Sequence, residues 1–313
     1  MKIVFLDAKT IGEDIDLSGF DALGDVVKYG FSTSEEARER SKDADVLILN
    51  KVQVNQQTIG EADHLKLVCV TATGTNNLDK EYLDKRGIAW RNVAGYSTES
   101  VAQHTFAMLF YLLEKLPYYD NYVKSEKYVN DVSFTHFAKA FHELSGMTYG
   151  IIGLGNIGRR VADIAKAFGC RVIYYSTSGR NSQPGYERVS FDELLEQSDI
   201  VSIHAPLDEN TLGLMNKEAF AKMKKSAILL NVGRGPIINE ADLAEALNNK
   251  TIAAAGLDVL SVEPMQEDNP LRGIKDSERL LITPHIAWAG VEARNRLMGI
   301  ILGQIKEFFK AHE

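Results

Sequence analysis

Cysteine is scarce in this chain: only Cys69 and Cys170 among 313 residues, each inside an apolar strand-like run and far from the other in sequence. Neither stands at metal-ligand spacing from other ligating residues. A disulfide framework and a zinc site are therefore unsupported, and the chain reads as a cytoplasmic protein with no metal. An excess of positive charge is lacking as well, with 35 Lys and Arg against 43 Asp and Glu and a net charge of -8. No basic patch is supplied for phosphate backbones or anionic membranes, which argues against nucleic acid or membrane as partners and points to small ligands. Long hydrophobic runs are also missing. The longest, from Val101 to Leu113, contains Gln103 and His104 and falls short of the about 20 residues a bilayer requires. The opening "MKIVFLDAKT" has too short an apolar core for a secretory signal and reads as a first strand.

What is present is a 45% hydrophobic, 25% charged composition, long enough for two packed cores. In the first third, "KIVFLD", "DVVKYG", "DVLILN", "KLVCVTA" and "IAWRNV" are short β-type runs. Helical signals lie between several of them: Thr33 to Glu36 forms a capping box before "EEARERSK", and "LDKEYLDKRG" closes on Gly87. Near-continuous apolar strands alternating with helices predict a parallel sheet covered on both faces. A polar, aromatic stretch from Pro117 to Met147 is too long for an ordinary connection and suits a linker, a partner-binding arm or a dimer contact. The alternation then restarts with "MTYGIIG", "CRVIYYS", "DIVSIHA", "AILLNV", "IAAAGLDV" and "LLIT". A last helix spans roughly Val291 to Phe309, with an apolar face of Leu297, Ile300, Ile301, Ile305, Phe308 and Phe309.

The second series opens with "YGIIGLGNIGRRVADIAKAFG". Gly153, Gly155 and Gly158 form G-x-G-x-x-G directly after a strand, followed by Ile157, Val161, Ile164, Ala165 and Phe168 at helical spacing. The glycines serve different ends, namely a tight turn at Gly153, backbone approach to a pyrophosphate at Gly155, and close helix-to-strand packing at Gly158. The helix amino terminus at Asn156 and Ile157 offers free N–H groups to the anion. Strand, glycines, amphipathic helix and second strand together predict dinucleotide binding. About 20 residues on, where a cofactor with free ribose hydroxyls usually meets Asp or Glu, the chain has Ser176. Ser176, Thr177, Ser178 and Arg180 offer hydroxyls and a guanidinium to a 2'-phosphate, which favours NADP, with NAD the alternative.

Three later strands deliver chemistry at their carboxyl ends, where open α/β sheets bind ligands. "AILLNV" is followed by Gly233-Arg234-Gly235-Pro236, "IAAAGLDVL" by Ser261-Val262-Glu263-Pro264, and "LLIT" by Pro284-His285. A histidine near neutral pH can donate or accept a proton, which suits it to acid/base work. A planar guanidinium suits a carboxylate because it can donate two parallel hydrogen bonds.

With "GLGNIG", "NVGRG", "GLDV", "VEP" and "TPHIA" in this order, the chain resembles the D-isomer-specific 2-hydroxyacid dehydrogenases over essentially its whole length. The resemblance implies two Rossmann-like, doubly wound parallel-sheet α/β domains with a cleft between them. Residues 1–98 plus 288–313 would be the substrate domain and 99–287 the nucleotide domain. It implies a homodimer with the 117–147 arm as candidate contact. Arg234 would hold the substrate carboxylate and carbonyl oxygen, His285 would be the acid/base, and Glu263 would pair with His285. Thr73, Gly74, Thr75 and Asn76 resemble a carboxylate-binding loop. Lys51 either reaches that pocket or is solvated, and Trp288 either roofs the pocket or packs. His204, Ala205, Pro206 and Thr211, with Val232, Gly233 and Ala287, resemble the wall along the cofactor, and Asp258 the partner of the nicotinamide amide. His64, His104, His136, His142 and His312 fall outside any matching motif and read as structural or solvated.

Ser176, where many members carry Asp, departs from the family pattern, and after the final helix no room is left for the regulatory tail of some phosphoglycerate dehydrogenases. "TGTNNLD", "GYSTESVAQHT" and "HIAWA" look most like glycerate dehydrogenases, also called hydroxypyruvate reductases. The implied activity is reduction of hydroxypyruvate, glyoxylate or a similar short 2-keto acid to the D-hydroxy acid. Alternatives on the same resemblance are a D-lactate-type enzyme, phosphite oxidation, and a cofactor sensor like the C-terminal binding protein corepressors. Formate oxidation fits less well, since formate enzymes of the family have Gln where this chain has Glu263.

Overall fold

Val46–Leu49 and Leu67–Val70 are apolar at every position and buried at every position. Such runs are stable only where both faces of the sheet are covered, and that requirement organises both halves of the molecule. The computed structural model describes residues 1–180, 182–276 and 278–311. The chain forms two units, Met1–Ser97 with Ala289–Glu313, and Thr98–Trp288.

The first unit runs β1 (Lys2–Phe5), β2 (Asp25–Lys28), α1 (Ser34–Ser41), β3 (Val46–Leu49), α2 (Gln56–Ile59), β4 (Leu67–Val70), α3 (Lys80–Arg86) and β5 (Ala89–Arg91). Its strands are all parallel in the order β2-β1-β3-β4-β5, with Ile3 opposite Val46 and Val46 opposite Leu67. The capping box is present: the Thr33 hydroxyl accepts from Glu36 N–H while the Glu36 carboxylate accepts from Thr33 N–H. Gly87 ends α3 in the left-handed conformation, φ 66°, where a residue without Cβ carries no steric cost.

The second unit begins with α4 (Thr98–Leu113) and α5 (Leu116–Lys124), then continues β6 (Thr148–Ile152), α6 (Asn156–Ala167), β7 (Arg171–Tyr175), β8 (Glu187–Arg188), α7 (Phe191–Gln197), β9 (Ile200–Ile203), α8 (Lys217–Lys222), β10 (Ile228–Asn231), α9 (Glu240–Asn248), β11 (Ala254–Leu257) and β12 (Leu280–Ile282). The parallel order is β12-β11-β10-β9-β6-β7-β8. Strand order reverses between β6 and β9, which places the loops after those two strands at the topological switch point of a Rossmann sheet. Apolar side chains fill both faces of this sheet, Leu194, Val201, Leu229 and Leu243 on one and Val161, Tyr149, Leu109 and Leu112 on the other.

The last helix, α10 (Val291–Lys310), returns to the first unit. Leu297, Ile301 and Ile305 are buried, whereas Ile300, expected on the same face, is exposed. Arg294 donates to Asp14 and to the Ile11 carbonyl, and Gln304 to the Asn92 carbonyl, which tie the helix down at two places. After α4, the 117–147 stretch leaves Val129, Val132, Phe134 and Phe137 exposed while Tyr122 stacks on His136 at 3.7 Å. No described helix is long and apolar enough to cross a membrane. His312 lies outside the described residues.

Candidate active site

The turn after β10 is cinched by one side chain. Asn231 is fully buried; its Oδ1 accepts from Gly233 N–H at 3.0 Å and its Nδ2 donates to the Arg234 carbonyl at 3.0 Å. Arg234, half-buried, donates from Nη1 to the Gly233 carbonyl at 2.8 Å, which holds the guanidinium against its own turn. Gly235 then lies flush against the next loop, where a Cβ would stand 1.9 Å from the Leu260 carbonyl carbon and 2.4 Å from Ser261 N. The Arg234 turn and the segment leading to Glu263 are thus in backbone contact.

Glu263 accepts at both carboxylate oxygens, from Leu260 N–H at 3.0 Å and from His285 Nδ1 at 2.7 Å. Accepting twice is the behaviour of an ionised carboxylate, so Nδ1 of His285 carries the hydrogen. Nε2 makes no hydrogen bond among the described residues, and the His285 and Glu263 side chains are 29% and 30% accessible. Glu240, at the start of α9, braces the same loop at two points, accepting from Ser261 N–H at 2.6 Å and from Asn269 Nδ2 at 2.7 Å.

His285 has φ 56°. A non-glycine residue in this region costs roughly 1–3 kcal/mol, and the surroundings must hold it there. Its N–H donates to the Asp258 carbonyl at 2.8 Å, and its carbonyl accepts from the Trp288 indole at 2.9 Å. Asp258, 1% exposed, takes Ile286 N–H, Ala287 N–H and the Thr283 hydroxyl on its carboxylate. The residue expected to meet the nicotinamide amide is thus largely engaged with the loop around His285. Trp288 packs against the core of the second unit while supporting His285.

At the switch point the three glycines differ. Gly153 has φ 91°, and a Cβ there would be 2.8 Å from the Ala205 backbone; one at Gly158 would be 2.2 Å from the Gly153 carbonyl oxygen. Gly155 faces open space, with nothing within 4 Å, and it begins α6 without any side-chain cap. Uncapped N–H groups at Asn156 and Ile157, beside a position free of side chain, fit a pyrophosphate. Past β7, Ser176 is buried, Thr177 is half-buried, and Ser178 and Arg180 are exposed. Ala205, Val232 and Ala287 are buried and Pro206 is exposed. His204 pairs through Nε2 with the Ser202 hydroxyl at 2.9 Å, its Nδ1 shielded from solvent and without a partner. Burial lowers its pKa to about 3, so the ring is neutral. Thr211, expected along the cofactor, is fully enclosed; its hydroxyl donates to the Pro206 carbonyl and accepts from Asp208 N–H. It shapes the 206–211 turn.

In the first unit, Lys51 is exposed, and its N–H, with those of Asn50 and Val52, donates to the carboxylate of buried Asp7. Burial raises the Asp7 pKa against those donors. The Thr73 hydroxyl donates to the Val93 carbonyl at 2.9 Å; Gly74 and Thr75 are half-buried and Asn76 is exposed. His64 and His142 are exposed. His104 meets Thr283. Sequence reading missed Asn231, Glu240, Asp7 and Thr283; a polar residue ending an otherwise apolar strand is the one signal that marks Asn231.

The family model for the D-isomer specific 2-hydroxyacid dehydrogenase NAD binding domain matches residues 106–287. The hydroxypyruvate reductase of Blautia hydrogenotrophica is 39% identical, over 99% of this chain and 97% of its own. Among solved structures, an acyclic imino acid reductase in complex with NADPH and D-Arg is 29% identical with a TM-score of 0.87, covering 99% of this chain and 98% of that one. The D-lactate dehydrogenase of Aquifex aeolicus complexed with NAD and lactic acid is 27% identical with a TM-score of 0.85, covering 99% and 96%. Two parallel α/β sheets, a glycine turn at the switch point of the second, and full-length similarity to such enzymes lead to one conclusion: this chain belongs to the D-isomer specific 2-hydroxyacid dehydrogenase family and is an oxidoreductase with an NAD-binding domain.

Proposed function

We propose that the enzyme reduces a short 2-keto acid, hydroxypyruvate to the D-2-hydroxy acid or glyoxylate to the achiral glycolate, and catalyses the reverse oxidation, with Arg234, Glu263 and His285 as the catalytic residues. The observation that carries this reading is the 2.7 Å bond from His285 Nδ1 to a carboxylate already fixed by Leu260 N–H, which leaves Nε2 available for proton transfer. The nicotinamide coenzyme supplies the hydride when bound. His285 as the imidazolium gives its Nε2 proton to the carbonyl oxygen during reduction, and as the neutral ring it takes the hydroxyl proton during oxidation. Glu263 fixes the ring orientation and the site of its other hydrogen. Arg234 donates charge-assisted hydrogen bonds to the substrate carboxylate and polarises the carbonyl.

Gly153, Gly155, Asn156, Ile157 and Gly158 would hold the coenzyme pyrophosphate. Ser176, with no carboxylate at that position to repel a 2'-phosphate and with Thr177, Ser178 and Arg180 following, supports NADPH over NADH. The exposed Val129, Val132, Phe134 and Phe137, four large apolar side chains within nine residues, support a homodimer that covers the 117–147 arm; sedimentation at micromolar concentration should give the dimer mass.

The test is a steady-state panel of hydroxypyruvate, glyoxylate, pyruvate and 2-ketoglutarate against both coenzymes, with chiral analysis of the product. The expected result is highest kcat/KM for hydroxypyruvate or glyoxylate with NADPH, and a D product from hydroxypyruvate. Highest efficiency with pyruvate would replace the substrate assignment by a D-lactate type, and no turnover on any keto acid would remove it.

A further inference from the structure

Among the described residues, the hydrogen-bond donors to the Asp258 carboxylate all come from the segment on either side of His285: Thr283 Oγ1 at 2.6 Å, Ile286 N at 2.8 Å and Ala287 N at 2.8 Å. The carboxylate is a clamp for that segment. A carboxylate that accepts from two backbone N–H groups is ionised and has no proton to give, so the Thr283 hydroxyl directs its only hydrogen to Asp258. The Thr283 oxygen must then act as acceptor toward its other neighbour, Nε2 of His104, at 3.1 Å. This settles the hydrogen on Nε2 of His104 in either charge state. The same nitrogen lies 3.6 Å from Asp258 Oδ1, beyond a good hydrogen bond yet close enough for attraction when the ring is charged. Four residues earlier on α4, and hence on the same helix face, Ser100 donates to the Ala287 carbonyl at 2.7 Å. One face of α4 therefore grips the segment at two points, Thr283 and Ala287.

We propose that His104 is a positioning residue for catalysis: its Nε2–H, acting through the Thr283 hydroxyl, fixes the Asp258 clamp that holds His285 in its left-handed conformation with Nδ1 on Glu263. This rests on the reading of His285 as the acid/base. His104 touches neither His285 nor Glu263, and its effect passes through Thr283 and Asp258.

The experiment compares H104L, which removes the donor at similar volume, with H104Q, which restores an N–H donor, and T283V with T283S. Turnover of hydroxypyruvate, or of whichever keto acid the panel shows to be turned over best, coenzyme affinity by fluorescence, melting temperature and the pH profile of kcat/KM are read on each. H104L and T283V should each lower kcat about tenfold with coenzyme affinity changed less than twofold. The H104L/T283V double variant should be no worse than the poorer single one, since both cut the same chain of bonds. In H104L the fall of reduction at high pH should begin at lower pH, because the Glu263 contact to His285 loosens, and H104Q and T283S should return both kcat and profile to near wild type. Wild-type kcat and pH profile in H104L, whatever its melting temperature, would overturn the proposal; if H104L does not fold, wild-type values in T283V would do so. H285A run alongside separates the two levels. Undiminished turnover in H285A defeats the acid/base reading beneath, whereas loss in H285A with none in H104L and T283V defeats this proposal alone.

Discussion

Replacing Gly235 with Ala isolates the backbone contact that joins the Arg234 turn to the Glu263 loop. The new methyl would lie 1.9 Å from the Leu260 carbonyl carbon, 2.0 Å from its oxygen and 2.4 Å from Ser261 N, where ordinary contact begins at 3.4 Å. No side-chain rotation relieves the overlap, because all three atoms are main chain. The two segments must separate by roughly 1.5 Å, the shortfall between the overlap and ordinary contact. Overpacking of this kind costs about 1–3 kcal/mol of stability. The displaced segment includes Leu260 N–H, which fixes Glu263, and Ser261 N–H, which Glu240 holds, so the 2.7 Å bond to His285 is strained with it. A displacement near 1 Å at a catalytic group lowers turnover on the order of 100-fold. Steady-state kinetics at 25 °C and calorimetry read both effects. Loss of kcat far beyond the loss of stability is expected. A variant with wild-type kcat and melting temperature would show that the contact does not set the geometry of the site.

S176D introduces a carboxylate where a 2'-phosphate is proposed to bind; KM for NADPH should rise on the order of 10-fold or more, a change of about 1.4 kcal/mol, while KM for NADH moves less than threefold. An unchanged ratio would mean that the 2'-position is recognised elsewhere. His204 predicts part of the acid sensitivity. Its pKa is about 3 in the folded protein, below the ordinary 6.5 that applies once the chain unfolds, so the unfolded chain binds the additional proton between those values. Stability from this group is full above pH 6.5 and declines as pH falls toward 3, by up to about 4 kcal/mol. H204Q should flatten the dependence of unfolding free energy on pH in that window, measured by urea titration; an unchanged slope would refute the assignment.

Elements whose stability is local were legible in the sequence. The Thr33–Glu36 capping box and the Gly87 stop depend on residues within one turn, and both formed as the sequence suggests. Ser190-Phe191-Asp192-Glu193 carries the same signature and caps α7, so that helix start could have been read the same way. The β8 strand, two exposed residues long, has no pattern to read. Arg234, Glu263 and His285 stand out in the sequence because their chemistry is rare at strand ends, and the fold brings His285 and Glu263 into a hydrogen bond. Their supports were not. Asn231, Glu240 and Thr283 act through side-chain hydrogen bonds to segments distant in sequence or to a turn whose shape only the fold defines, and no periodicity encodes such partners. Nothing in the sequence marks the close approach of Leu260 to Gly235, which only the fold creates. That the Thr211 hydroxyl closes its own 206–211 loop is likewise not encoded in the motif that carries it.

The central claim, that His285 supplies the proton while Glu263 holds its ring, is tested most directly by single-turnover reduction of the best keto acid by H285A with prebound coenzyme. The rate constant should fall about 10²–10⁴-fold, the usual range for losing a general acid, with coenzyme affinity within twofold of wild type. A rate constant within a few-fold of wild type would contradict the account.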